Sequence, residues 1–371
     1  MIAPTPPMGW NSWNTFGENI SEELVRQTAD AFVEAGLQAA GYSYVVIDDH
    51  WELRERDQDG RLVPDPRKFP NGIKPVADYV HAKGLKFGIY SCAGTLTCGT
   101  KAGSFGYEEL DAKTFAEWGV DFLKYDYCYK PLGVVGKELY FKMGQALRQS
   151  GRAILFSACN WGVDEVWKWA RRAGCHMWRT TGDIEDSWES MERIGFQQKG
   201  KEDYAGPNGW NDPDMLVVGM YGKGNVARGG MKDQEYRFHF ALWCMLCSPL
   251  MIGCDVRMMN DETRAILTHP RLIAISQDPL GVQAWSLGED NHTEVWKKPL
   301  ADGSVAVAFF NKHPEHTRRM AVAWEALGLH DRRPCRVLDV WSGEDLGEHT
   351  RWFGMQVPPH SAGVYRLTPQ C

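Results

Sequence analysis

Along the first three-quarters of the chain, short apolar runs that read as strands alternate with stretches whose apolar residues recur at helical spacing. This alternation is the strongest constraint on the fold. Ser21 stands as an N-cap before Glu22 and Glu23, with Val25, Ala29, Phe32 and Val33 at helical spacing and Gly36 near the end. A fully apolar run at 44–47 follows and stops in Asp48-Asp49-His50-Trp51. The unit then repeats. Ile73, Val76, Ala77 and Val80 share a face, Gly84 ends that helix, and 85–90 reads as a strand. A helix over 107–119 leads into a strand at 120–125 and then Asp126. Further strands are expected at 153–159, 175–179, 210–216 and 249–254, and with the segment 8–13 in front the count is eight.

Strands separated by helices pair in parallel, and eight such units close a (β/α)8 TIM barrel. A doubly wound sheet is the rival, but no G-x-G-x-x-G follows any strand. Past Gly281 the pattern changes to short strands at 295–298, 305–310, 320–322, 337–341 and 364–367, with no long helix between them. Asp302-Gly303 is a hairpin signal between the first two. The expected architecture is α/β, a barrel over 1–281 followed by an antiparallel β-sandwich over 282–371. A length of 371 residues accommodates both.

Composition narrows the function. No apolar run approaches the 18 residues of a membrane span, and a net charge of -7 argues against a nucleic-acid surface. Sixteen Trp beside 13 Tyr and 15 Phe supply bulky core or flat platforms for a ligand. Ten cysteines are too sparse for a disulfide scaffold, and Cys244-x-x-Cys247, alone in an apolar run, reads as buried thiols on a helix. The N-terminus has neither a charged start nor an apolar h-region, so the expected location is the cytoplasm, with secretion the alternative where a leader has been removed.

Barrel enzymes carry their working residues at the C-terminal ends of the strands. Here those ends carry Asp48 and Asp49, Tyr90, Lys124 and Asp126, Cys159-Asn160-Trp161, Arg179 through Asp183, and Asn211-Asp212-Pro213-Asp214. One Asp after a strand is an ordinary turn residue. Six such ends on one rim are not explained that way. Only His50 and His176 lie near strand ends, so the paired His ligands of a metal hydrolase are missing. Carboxylates with one Lys, one Arg and several Trp suit glycoside hydrolysis, which needs two carboxyl groups astride an acetal carbon and an aromatic face for the sugar. Lys124 alternates with Asp126 and points to the same side, which suggests an ion pair between them rather than a Schiff-base lysine.

These residues sit in six ordered motifs: Met8-Gly-Trp-Asn-Ser-Trp13, Ile47-Asp-Asp49, Leu123-Lys-Tyr-Asp126, Trp178-Arg-Thr-Thr-Gly-Asp183, Trp210-Asn-Asp-Pro-Asp-Met215 and Ile275-Ser-Gln-Asp-Pro-Leu-Gly281. In that order, over nearly the whole chain, they resemble the α-galactosidases of glycoside hydrolase family 27. The resemblance implies a retaining exo-hydrolase that works without a metal or other cofactor and releases terminal α-linked galactose from oligosaccharides or glycoconjugates. Asp126 would be the nucleophile and Asp183 the acid/base, with carboxyls roughly 5–5.5 Å apart. Lys124 would keep Asp126 ionised, while Asp183 needs a raised pKa to carry its proton. Asp48 and Asp49 would take O4 and O6, Arg179 would grip O2 and O3, Trp13 would lie on the ring, Tyr90 would line the pocket, and Asp212 joins the binding set.

The chain departs from the family pattern in places. Asn160 stands where many α-galactosidases have Glu, facing the sugar's 2-substituent. Glu18 and His50 replace a family disulfide, so a Glu18–His50 contact is expected in its place, charged below the ordinary histidine pKa of ~6.5. Cys98 and Cys128 are retained and are expected either bonded or reduced, and Cys92, where an Asp is common, is expected to be structural. The nearest alternative activities are β-L-arabinopyranosidase, decided around Asp48 and Trp51, and α-N-acetylgalactosaminidase. A non-catalytic sugar-binding barrel is the rival of another class, and two retained carboxylates count against it. Neither nucleic acid nor membrane is expected as a partner, and the sandwich could pack on the barrel, form the subunit interface of a homo-oligomer, or do both.

Overall fold

Eight parallel strands form the first sheet of the computed structural model, which describes residues 1–370, so that Cys371, the last position of the expected sandwich, lies outside the described residues. They are β1 Met8–Asn11, β2 Tyr44–Val46, β3 Lys86–Cys92, β4 Phe122–Asp126, β5 Leu155–Cys159, β6 Met177–Arg179, β7 Trp210–Asp212 and β8 Leu250–Ile252. Their order, β7-β6-β5-β4-β3-β2-β1-β8, is sequential with β8 returning to β1. The ring closes just beyond β7, where Leu216 bridges Ile252 in parallel. Between β7 and that bridge the chain turns sharply at Asp214 (φ +89°), which is why the expected strand at 210–216 is cut at Asp212.

The helices follow the sequence signals. Ser21 caps the helix Glu22–Glu34, its hydroxyl accepting from Leu24 N–H, and Val25, Ala29 and Phe32 are fully buried. Val33 is 42% exposed because it falls past the buried stripe. Gly119, in the left-handed region, ends the helix Glu108–Trp118. Among the described residues no helix is long and apolar enough to cross a membrane.

The second unit has a six-stranded antiparallel sheet, order β14-β13-β16-β11-β10-β9, faced by the pair β12-β15. Its strands are β9 Trp285–Asp290, β10 Thr293–Pro299, β11 Val305–Asn311, β12 Arg318–Ala323, β13 Cys335–Asp339, β14 Asp345–His349, β15 Trp352–Val357 and β16 Ser361–Pro369. Sequence reasoning misses β9 and β14, which carry exposed polar residues and Gly in place of an apolar run, and β15, whose apolar residues are interrupted by Gly354 and Gln356. Asp302-Gly303 turns the β10–β11 hairpin as expected, with Gly303 at φ +83°.

β11 is apolar at every position from Val305 to Phe310 because both of its faces are buried. Val305, Val307 and Phe309 face β12 and β15 in the sandwich core, while Ala306, Ala308 and Phe310 belong to the core shared with the barrel. Phe310 lies 5.7 Å from Phe196 and 5.1 Å from Phe238, ring centre to ring centre, both on barrel helices. At the same seam buried Glu294 receives Lys199 from the barrel side (3.1 Å) and Lys312 (2.8 Å). Cys244 and Cys247 are both buried and free, but Cys247 lies past the helix Asp233–Met245. The ammonium of fully buried Lys298 on β10 reaches its sulfur at 2.9 Å and donates to the Val282 carbonyl at 2.6 Å.

Phe310→Ala removes a large side chain from this shared core and is expected to cost about 3–5 kcal/mol. Denaturant unfolding checks it; a cost below ~0.5 kcal/mol, as for a surface change, would mean that the two units do not depend on this contact.

Candidate active site

The strand ends converge on one cavity that is open at its mouth. Its walls include Trp13, Asp48, Asp49, Tyr90, Lys124, Asp126, Arg179 and Asp183 from the sequence-derived set. Cys98, Cys159, Trp161, Asp214 and Met215 complete much of the lining. Asn160, Asp212 and Trp51 are not part of it.

Asp48 follows β2, and its Oδ2 accepts from Asn11 Nδ2 at 2.7 Å and Lys124 Nζ at 2.8 Å. The expected Lys124–Asp126 ion pair is therefore replaced by Lys124–Asp48. Asp49 serves the loop after β3: it accepts from the Thr97 hydroxyl (2.9 Å) and from Gly99 N–H (2.7 Å). That loop is pinned at its far side too, because a Cβ on Gly94 would fall on the Cys128 carbonyl, and only glycine allows the approach.

Asp126 ends β4, nearly buried, and accepts from the Tyr90 hydroxyl at 3.0 Å and from Tyr127 N–H at 2.9 Å. Burial pushes its carboxyl up to about 6, against the lowering field of Lys124. The lysine moderates the shift and does not reverse it, so the expectation of a fully ionised Asp126 needs correction. Burial opposes the charge of Lys124 as well, and the Asp48 contact more than restores it.

Asp183 also departs from expectation. Its side chain is 70% exposed at the mouth, and Arg179 Nη2 holds it at 2.9 Å. What burial there is raises its pKa, but the guanidinium outweighs that and leaves it below the ordinary carboxylate value instead of above it. The other fork of Arg179 pairs with Asp214 at 3.0 Å, and Nε has no partner. Asp214 is held by Ile184 N–H (2.8 Å), and burial raises its carboxyl.

Asp212, named from its motif as a binding residue, instead accepts from Asp214 N–H at 2.9 Å and sits behind the wall, where burial raises it to about 6. β7 stops at Asp212, and the left-handed turn at Asp214 brings the second carboxylate to the cavity lining. Asn160 is buried, donates to the Val163 carbonyl (2.9 Å), and its Oδ1 has no partner. Trp51 is fully buried and donates to the Tyr90 carbonyl, so it supports the pocket floor without touching a sugar.

Trp13 opens the short helix after β1 and stacks on His50, ring centres 6.4 Å apart at 18°. His50 Nδ1 lies 3.7 Å from Glu18 Oε2, so the expected replacement of the family disulfide is present as a loose pair. Burial lowers the His50 pKa, and the charged form is confined to a more acid range than the ordinary value suggests. Cys98 and Cys128 are joined in a disulfide, and Cys92 is buried with its thiol directed at the Cys128 carbonyl, 3.2 Å away.

Comparison with known proteins places these observations in a family. Residues 5–278 match the family described as alpha galactosidase A, and residues 290–367 match the alpha galactosidase C-terminal beta sandwich domain. An α-galactosidase of Cyamopsis tetragonoloba is 46% identical over 100% of this chain and 87% of its own. A Saccharomyces cerevisiae α-galactosidase solved with raffinose superimposes with a TM-score of 0.88 at 30% identity, over 99% of this chain and 98% of that one. A β-L-arabinopyranosidase of Geobacillus stearothermophilus gives a TM-score of 0.89 at 27% identity, over 99% and 97%.

Because the folded pKa of Asp126 is raised, the native state binds its proton more readily than the unfolded chain. Ionising it therefore costs stability as pH rises from about 4 through about 6. Asp126→Asn is expected to stabilise the protein on the order of 2–3 kcal/mol at pH 7.5, with the gain vanishing toward pH 4. Melting temperatures at the two pH values test this, and a gain independent of pH would contradict the assignment.

Proposed function

The chain belongs to the alpha galactosidase A family, glycoside hydrolase family 27, and on that premise we propose a retaining, exo-acting α-galactosidase in which Asp126 is the nucleophile and Asp183 the acid/base. The observation that carries the assignment is Asp126 itself: a buried carboxylate, oriented by Tyr90, in a cavity that also holds Asp183 and the face of Trp13. Such a cavity suits one terminal sugar. Asp126 attacks the anomeric carbon while Asp183 protonates the departing oxygen; water, deprotonated by Asp183, then releases the sugar from the glycosyl-enzyme. Trp13 packs on the apolar ring face, and Asp48, Asp49 and Lys124 receive the O4 and O6 edge.

In the free protein burial raises the carboxyl of Asp126 and the Arg179 guanidinium lowers that of Asp183, the reverse of the order the first step requires. Arg179 is the group that substrate must move. As the sugar's 2- and 3-hydroxyls engage its fork, the guanidinium stays with Asp214 and releases Asp183, which then takes up a proton. Asp214 is in this reading a positioning residue for Arg179.

Hydrolysis of 4-nitrophenyl α-D-galactopyranoside and of raffinose is expected, well above the β-L-arabinopyranoside and the α-N-acetylgalactosaminide. Asp126→Asn should lose at least about a thousandfold in kcat. NMR should detect α-galactose as the first product. Preference for another sugar would overturn the substrate, and β-galactose appearing first would overturn double displacement.

Asp214→Asn removes the competitor that draws Arg179 off Asp183. The alkaline limb of the kcat–pH profile should move to lower pH, and raffinose, whose leaving group needs the proton, should lose more activity than the nitrophenyl glycoside. Equal losses on both substrates with an unmoved limb would remove Asp214 from this role.

A further inference from the structure

The wall of the cavity next to the nucleophile is built from sulfur. Cys98 and Cys128 lie in the loops that follow β3 and β4, and their sulfurs and an Asp126 carboxylate oxygen all lie within 4.8 Å of one another. In the oxidised protein the sulfurs are bonded to each other. Their Cα atoms are 5.1 Å apart, a spacing that also lets two thiolates reach one tetrahedral ion, for which Zn–S bonds of about 2.3 Å set the sulfurs about 3.8 Å apart.

The frame that presents these sulfurs does not depend on the bond. Thr97 and Gly99, on either side of Cys98, are both tied to Asp49, and the Cys128 carbonyl is held by the Cys92 thiol and by the close approach of Gly94. Reduction leaves two thiols facing a carboxylate whose own position is fixed by Tyr90 and Tyr127.

We propose that the reduced form of Cys98 and Cys128, together with Asp126, is a binding site for a thiophilic divalent cation such as Zn²⁺, and that the occupied site is inactive. The inactivity rests on Asp126 being the nucleophile; the cation binding does not. Two electrons and two protons from a dithiol convert the disulfide into two thiols, and the dithiol leaves as its own disulfide. The cation then displaces both thiol protons to solvent and is bound by two sulfurs and one carboxylate oxygen, with water in the fourth position. A carboxylate held by the cation cannot attack an anomeric carbon. The disulfide thus keeps the nucleophile free, and a reducing environment is where the site would be open.

Cobalt(II) reads the site without turnover. After reduction, the folded full-length protein should develop a thiolate-to-cobalt charge-transfer absorption that the oxidised protein lacks. Cys98→Ser and Cys128→Ser should each abolish it, and Asp126→Asn should weaken cobalt binding about tenfold or more. With the wild-type protein, Zn²⁺ should lower hydrolysis at least about tenfold after reduction and not before, and a chelator should restore it. No absorption in the reduced, folded protein would overturn the site. Absorption that survives both serine variants would place the cation on another thiol, and unchanged cobalt affinity in Asp126→Asn would remove the carboxylate from it. If the protein hydrolysed no galactoside at all, the cobalt measurements would still decide the site.

Discussion

Six aspartates, at 48, 49, 126, 183, 212 and 214, are gathered at one end of the barrel with two cations, Lys124 and Arg179, among them. This imbalance is the constraint on which the rest of the site depends. Each cation makes its closest contacts with carboxylates other than Asp126: Lys124 with Asp48, Arg179 with Asp183 and Asp214. Asp49 is satisfied by the Thr97 hydroxyl and by backbone N–H groups. Asp126, held by the Tyr90 hydroxyl and Tyr127 N–H, and Asp212, held by Asp214 N–H, have no ion pair among the described residues, and burial pushes both up to about 6. A carboxylate kept short of counter-charge is a poorer contributor to stability and a better nucleophile toward a carbon acquiring positive charge.

The barrel is the natural scaffold for this arrangement because parallel strands all end on the same side. A short strand with a fully apolar sequence is anchored by burial on both faces, and its last residue is delivered to the rim. That is why the fold was legible in the chain. The alternation of apolar runs with helical periods located all eight barrel strands, and Asp48, Asp126 and Arg179 stand where those runs end. What the sequence did not carry was the pairing among the polar ends. Two residues on the same strand face, Lys124 and Asp126, invite an ion pair on paper, yet the ammonium reaches across to the neighbouring strand's Asp48. Asp212 and Asp214 are two apart and look interchangeable, but one left-handed residue decides which of them faces the cavity. Asp183 looks like a free acid until Arg179 is seen to close a contact four residues back along its own loop. These are relations across space, set by turns and by competition for a cation, and no local pattern encodes them.

The sandwich poses the reverse problem. Its central strand β11 is unmistakable because it is apolar on both faces, but the edge strands β9 and β14 carry polar residues and glycine, and β15 has its apolar residues interrupted by Gly354 and Gln356, so they have little pattern to read. The signal that gives β11 away also says what it does. A strand with two buried faces needs two partners, and the second partner is the barrel, through Phe196 and Phe238.

At that seam Lys298 is held out of water between the Cys247 sulfur and the Val282 carbonyl. A lysine amine is ordinarily the group that acylating reagents modify most readily, and this one has no route to a reagent while the two units stay docked. Its modification would therefore report the loss of this seam.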